Sequence, residues 1–168
     1  MADDNISNIW KFFIMYIFET TIGGIHTIFA LAALFSGGYV IFKTKGTKLH
    51  KNVGYIYVIS MILMNITALF THVLFKFGPF HMLAIFSLLT VLFGIFAPLL
   101  LRKHDNWLQW HYSGMSWSYV GLWAAFIAEI VVRLPFEGIA ESFWLLVIGG
   151  SLLVTCIGGY YIKKHNIK

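Results

Sequence analysis

The chain has 168 residues, of which 59% are hydrophobic and only 11% charged, and its mean hydropathy is +0.78. A soluble domain carries roughly a quarter charged residues, so this composition excludes a water-soluble fold, and the length leaves no room for a second domain beside one helical bundle over residues 1–168. The net charge of +5 does not point to nucleic acid, because most of the basic residues lie in short loops between apolar runs, where they set topology and meet anionic lipid headgroups.

In chain order, the acidic start Met1-Ala2-Asp3-Asp4-Asn5 has no basic segment ahead of the first apolar stretch, so no cleaved signal peptide is expected. Ile9–Phe18 is apolar but shorter than the roughly 20 residues a spanning helix needs, and it reads as a short interfacial helix or an extension of the first span. Five runs are long enough to cross a bilayer: Ile22–Phe42, Val53–Phe75, Phe80–Leu101, Trp107–Val132 and Phe143–Ile162. The connections Lys43–Asn52, Lys76–Pro79, Arg102–Asn106 and Arg133–Ser142 are short, so consecutive helices run antiparallel as neighbours. The expected fold is all-α, an integral membrane helical bundle of five transmembrane helices with a short N-terminal interfacial helix.

Topology follows from the cations. With five spans, Lys43, Lys45, Lys48, Lys51, Arg102, Lys103, Lys163, Lys164 and Lys168 fall on one side, nine of the twelve basic residues, against Lys11, Lys76 and Arg133 on the other. The positive-inside rule puts the nine in the cytoplasm, giving a multi-pass cell-membrane protein with its N-terminus outside and its C-terminus inside. The glycine pairs Gly37-Gly38, Gly149-Gly150 and Gly158-Gly159 are expected where helices pack closely. The single cysteine, Cys156, is expected to be a small packing residue.

Ionisable residues within or bordering spans are costly and suggest function, and the seven histidines are the main candidates. The topology sorts them by depth. His26, His72, His81 and Glu129 fall toward the outer end, and His50, His111 and His104 toward the inner end, while His165 lies in the tail. The face of helix 4 reads His111, Met115, Ser118, Leu122, Ala125 and Glu129, since His111 and Glu129 are 18 residues, about five turns, apart. His26 shares its face with the small residues Ala30, Ala33 and Gly37, which leaves room for something flat against helix 1.

Histidines facing one another across a bundle can fill both axial positions of a haem iron, with the macrocycle between helices. Alternation pairs His26 with His81 and His50 with His111, for up to two haem b groups, and Lys48, Lys51 and Arg102 inside, or Lys76 and Arg133 outside, could meet propionates. The leading expectation is therefore a membrane electron carrier whose partners include the lipid bilayer and a membrane redox protein or quinone. A second reading is a zinc, copper or iron site built from His26, His72, His81 and Glu129. A third is a cofactor-free assembly factor whose histidines make helix–helix hydrogen bonds. Each histidine also has a plain reading: His50 and His104 as interfacial or solvated residues, His26 and His81 as hydrogen-bonded buried imidazoles, Glu129 as the partner of Arg133. Met115 reads as packing, and Trp117, Tyr119 and Trp123 read as lipid or core contacts. No Ser/His/Asp or Cys/His nucleophile set is present, so no catalytic residue is expected.

Two resemblances rest on these residues. A histidine at the start of four successive helices, with Lys45-Gly46 before Lys48-Leu49-His50 and Trp110-His111 before Gly114, resembles the ascorbate-type transmembrane di-haem cytochromes b over Ile22 to Val132. That resemblance implies haem paired first helix with third and second with fourth; the chain differs in having five spans where that family has six, and in carrying His72. His26, Lys45-Gly46 with His50, Pro79-Phe80-His81, and His111 with Met115-Ser116-Trp117-Ser118-Tyr119 running on to Glu129 resemble a family of small bacterial membrane proteins of unknown function. This second resemblance covers nearly the whole chain.

Overall fold

The computed structural model describes residues 21–70, 79–133 and 139–165. Five helices make up its regular structure: α1 (Thr21–Phe42), α2 (Lys48–Phe70), α3 (Pro79–Leu100), α4 (Trp107–Arg133) and α5 (Ile139–Lys164). All five are long and apolar enough to cross a membrane, and each begins or ends within a few residues of its expected span. The expected interfacial helix at Ile9–Phe18 lies outside the described residues.

α2 differs most from expectation. It begins at Lys48, so His50 sits in its first turn rather than in the preceding loop. The cause is local. The Thr47 hydroxyl accepts the His50 backbone N–H at 3.1 Å, an N-cap that satisfies a donor the helix itself leaves unpaired. Hydropathy locates the hydrocarbon core, whereas the cap locates the helix end, and here the two are separated by more than one turn. At the other side of this loop, Gly46 takes a φ of +79°, a conformation that favours glycine. The Lys45 ammonium folds back and donates to the Val40 and Ile41 carbonyls that end α1. Burial there pulls the Lys45 ammonium below the ordinary lysine pKa.

The antiparallel neighbours pack α1 on α2, α2 on α3, α3 on α4 and α4 on α5, and contact between α1 and α4 closes the first four into a ring. α5 leans on the outer side of α4, with only 6% of its span buried. The core holds Ala33, Tyr57, Val58, Met61, Val91 and Leu122. Outside, Phe35, Phe42, Leu100 and Leu145 are each more than 70% exposed. Large apolar side chains facing outward, around an interior that includes Ser36, Ser60, Asn65, His81 and Ser118, give the polarity expected of a bundle whose solvent is lipid.

Asn65, Ser36 and Ser118 among these are hydrogen-bonded. Asn65 donates to the Met61 carbonyl at 2.8 Å, and Ser36 donates to the Ala32 carbonyl one turn back. The Tyr57 and Ser118 hydroxyls lie 2.8 Å apart. Ser118 gives its only hydrogen to the Met115 carbonyl, so Tyr57 is the donor in the hydroxyl pair.

The surface of small residues on α1 is not vacant. A methyl added at Gly37 would meet the Tyr119 ring at 2.6 Å and the Tyr57 ring at 2.7 Å, and the Tyr119 hydroxyl donates to the Leu34 carbonyl at 3.2 Å. The flat objects against Ala33 and Gly37 are therefore two tyrosine rings of the protein itself. Among the expected glycine contacts, Gly37, Gly38, Gly150, Gly158 and Gly159 each face a neighbouring helix, whereas Gly149 meets nothing within 4 Å. Cys156 is exposed on α5 and not packed inside, because α5 touches the bundle along one stripe only.

Candidate functional site

The site-building begins at a proline. Pro98 lies inside α3 and has no amide hydrogen, so the carbonyl four residues earlier, that of Gly94, loses its intrahelical donor. Gly94 also lies where the α3 and α4 backbones pack against each other. A methyl on Gly114 would stand 2.6 Å from Gly94 Cα, and one on Gly94 would stand 2.8 Å from the Met115 backbone nitrogen. One turn before Gly114, His111 reaches across this crossing and bonds the Gly94 oxygen through Nδ1 at 2.8 Å. A carbonyl can only accept, so Nδ1 carries the hydrogen, and in the neutral ring Nε2 keeps the lone pair.

His26 is held in the same way on another pair of helices. Its Nδ1 lies 3.0 Å from the Met64 carbonyl and 3.2 Å from Thr67 Oγ1, both on α2. The Thr67 hydroxyl donates back to the Leu63 and Met64 carbonyls, so toward His26 it accepts. The hydrogen again sits on Nδ1 and the lone pair on Nε2. A ring N–H donated to a carbonyl fixes the tautomer and the ring orientation, as in metal-ligating histidines.

At the lysine-rich end, His50 and His111 face each other across α2 and α4 with ring centroids 6.5 Å apart and planes at 85°. Both are partly buried, and His50 Nδ1 is buried without a hydrogen-bond partner. At the opposite end, His81 in the first turn of α3 is buried to 6% exposure, at the same end of the bundle as His26. His72 lies outside the described residues, as does the Arg133 side chain, so the expected Glu129–Arg133 pairing falls outside them too. Glu129 is partly buried near the end of α4. Among the described residues, no three His, Cys, Asp or Glu side chains gather into a group able to hold a metal ion.

The remaining candidates take plain roles. His104 is exposed in the α3–α4 loop, its ring 5.9 Å from that of Trp110. His165 is exposed and stacked on Tyr161 at 6.3 Å. On the α4 face, Met115 packs against the core, as expected, while Ser118 and Leu122 are buried and Ala125 is exposed. Arg102, expected near propionates, sits over the Trp107 ring at 5.5 Å. Lys43 lies over Tyr39 at 5.7 Å and Lys164 over Tyr160 at 5.9 Å. Three cation–ring pairs thus mark the lysine-rich end, on α1, at the start of α4 and on α5, the pairing that anchors helix ends at a membrane interface.

The Pro98–Gly94–His111 chain was missed by reading histidines alone. A proline inside a span, counted back four residues, names the carbonyl that needs an outside donor.

No curated protein and no solved structure matches the chain. A family model described as predicted membrane protein (DUF2306) matches residues 23–162, a stretch that runs through all five helices and takes in His26, His50, His81 and His111, so the chain belongs to this family of membrane proteins.

Proposed function

We propose that the protein binds haem b through paired histidines and carries electrons in or across the membrane, with His50 and His111 as its first site. The observation that supports this reading is their 6.5 Å ring separation. Two metal–nitrogen bonds of about 2 Å each, with half an imidazole at either end, put ring centroids roughly 6 Å apart. The donor set is chemically suitable, since both are imidazoles on facing helices, and His111 keeps Nε2 as its lone-pair nitrogen. Haem bound there would supply reversible one-electron chemistry. The chain's own part is to hold the two rings, fix the His111 tautomer through the Gly94 carbonyl, and exclude water with α2 and α4. His26 and His81 are proposed as the second pair, on the hydrogen-bond pattern of His26 and the burial of His81. A membrane redox protein or quinone is the proposed partner, and the lysine-rich end is proposed to face the cytoplasm.

The test is a visible absorption spectrum of detergent-purified protein, with haem supplied during expression, before and after dithionite. The expected result is a Soret band that sharpens on reduction and weakens in His50→Ala and His111→Ala. A colourless protein from haem-replete cells, or an undiminished spectrum in both variants, overturns the reading.

A further inference from the structure

The connection between α1 and α2 encloses an open cleft of about 250 Å³, lined by Tyr39, Lys43, Thr44, Thr47, Leu49 and His50. Its chemistry is one-sided. The segment Lys43–Asn52 carries four lysines and no carboxylate. Lys45 is already committed to the end carbonyls of α1, which leaves Lys43 as the cation on the cleft wall. Thr44 and Thr47 line the same cleft, the Thr47 hydroxyl capping His50 and donating to the Thr44 carbonyl, and the first turn of α2 adds the positive end of a helix dipole. His50 Nδ1 is buried here without a hydrogen-bond partner. Leu49, on the wall of the cleft, is more than half exposed, an apolar surface beside the cation.

We propose that this cleft is a binding site for a phosphate-bearing anion, with Lys43 as the charge partner and the Thr44 hydroxyl as a hydrogen-bond donor. The inference does not depend on bound haem. Two sources offer this chemistry, the phosphodiester headgroup of an anionic phospholipid and a free phosphate, and both are distinguished by experiment.

The first arm uses haem-free, detergent-purified protein equilibrated with phosphatidylglycerol or phosphatidylcholine, with retained lipid counted by native mass spectrometry. Lys43→Ala should lower phosphatidylglycerol retention by about fivefold, the worth of one lysine near an anionic surface, while Lys103→Ala, in a different loop at the same end, should leave it unchanged. The second arm measures the thermal shift given by inorganic phosphate in neutral detergent. A Lys43-dependent response to phosphate supports the site with a free anion as its ligand; Lys43-dependent retention of phosphatidylglycerol without that response supports it with a lipid. Equal retention of both lipids together with no phosphate response, or responses that survive in Lys43→Ala, overturn the proposal. Neither readout uses absorbance, so a failure here is distinct from a failure of the haem reading.

Discussion

Pro98 and His111, on adjacent helices, act on one carbonyl: the proline withholds the amide hydrogen that the Gly94 oxygen would otherwise receive, and the histidine supplies one at 2.8 Å. In water such a carbonyl would be solvated. In hydrocarbon it has only protein to bond.

This coupling is measurable as a double-mutant cycle. His111→Ala alone leaves the Gly94 oxygen without its donor and should cost about 1 kcal/mol, the scale found for interhelical hydrogen bonds in membranes. In a Pro98→Ala background the amide of residue 98 can take that oxygen, so the same histidine change should cost less. SDS-driven unfolding in mixed micelles gives both values, and equal costs in the two backgrounds would remove the link between them.

The α3–α4 crossing should be intolerant of a single methyl. Gly114→Ala places a carbon 2.6 Å from Gly94 Cα, backbone that cannot turn aside, and overpacking of this kind costs about 1–3 kcal/mol. Gly149→Ala meets nothing within 4 Å and should leave stability unchanged or slightly raised. A comparison of melting temperatures in one detergent separates these outcomes; similar losses for both variants would contradict the crossing.

For the hydroxyl pair the two truncations are unequal. Tyr57→Phe removes a donor, yet Ser118 still gives its hydrogen to Met115, so the cost should be about 0.5–1.5 kcal/mol. Ser118→Ala strands a tyrosine hydroxyl that is 2% exposed as a residue, and an unpaired buried donor costs about 1–3 kcal/mol. Thermal denaturation should rank Ser118→Ala as the more damaging; the reverse order would mean that Tyr57 is not the donor.

At the start of α2, Thr47→Ala removes the cap on His50 and should cost about 1 kcal/mol, whereas Thr47→Asp keeps an acceptor in place. Amide hydrogen exchange across Lys48–Lys51 reports this locally: faster exchange in the alanine variant and near-native exchange in the aspartate variant are expected. Unchanged exchange in Thr47→Ala would show that the first turn does not depend on its cap.

The span count and the burial of His81 were legible because both are costs read along the chain: a minimum apolar length and a penalty for polar groups in lipid. Partnerships were much less legible. In a helix that is apolar on every side, periodicity does not say which face turns inward, so the α4 face that groups Ala125 with Ser118 and Leu122 mixes exposed and buried residues, and the small face of α1 was left for a ligand although Tyr57 and Tyr119 fill it. The pairing of His50 with His111 was reached by counting alternation. The hydrogen bonds that aim His111 and His26 depend on carbonyls contributed by α3 and α2, and only the proline in α3 left a trace of that in the sequence.

Helix α4 has 27 residues, about 40 Å at 1.5 Å per residue, against a hydrocarbon layer of about 30 Å. Its first residue, Trp107, is held at the interface by Arg102, so the surplus must emerge at the far end. About twenty residues of rise cross the layer, and a modest tilt adds only one more. Glu129 lies about 33 Å of rise beyond Trp107, at the far limit of a layer of that thickness. The polar side chains nearest the middle of α4 are then the hydroxyls of Ser118 and Tyr119.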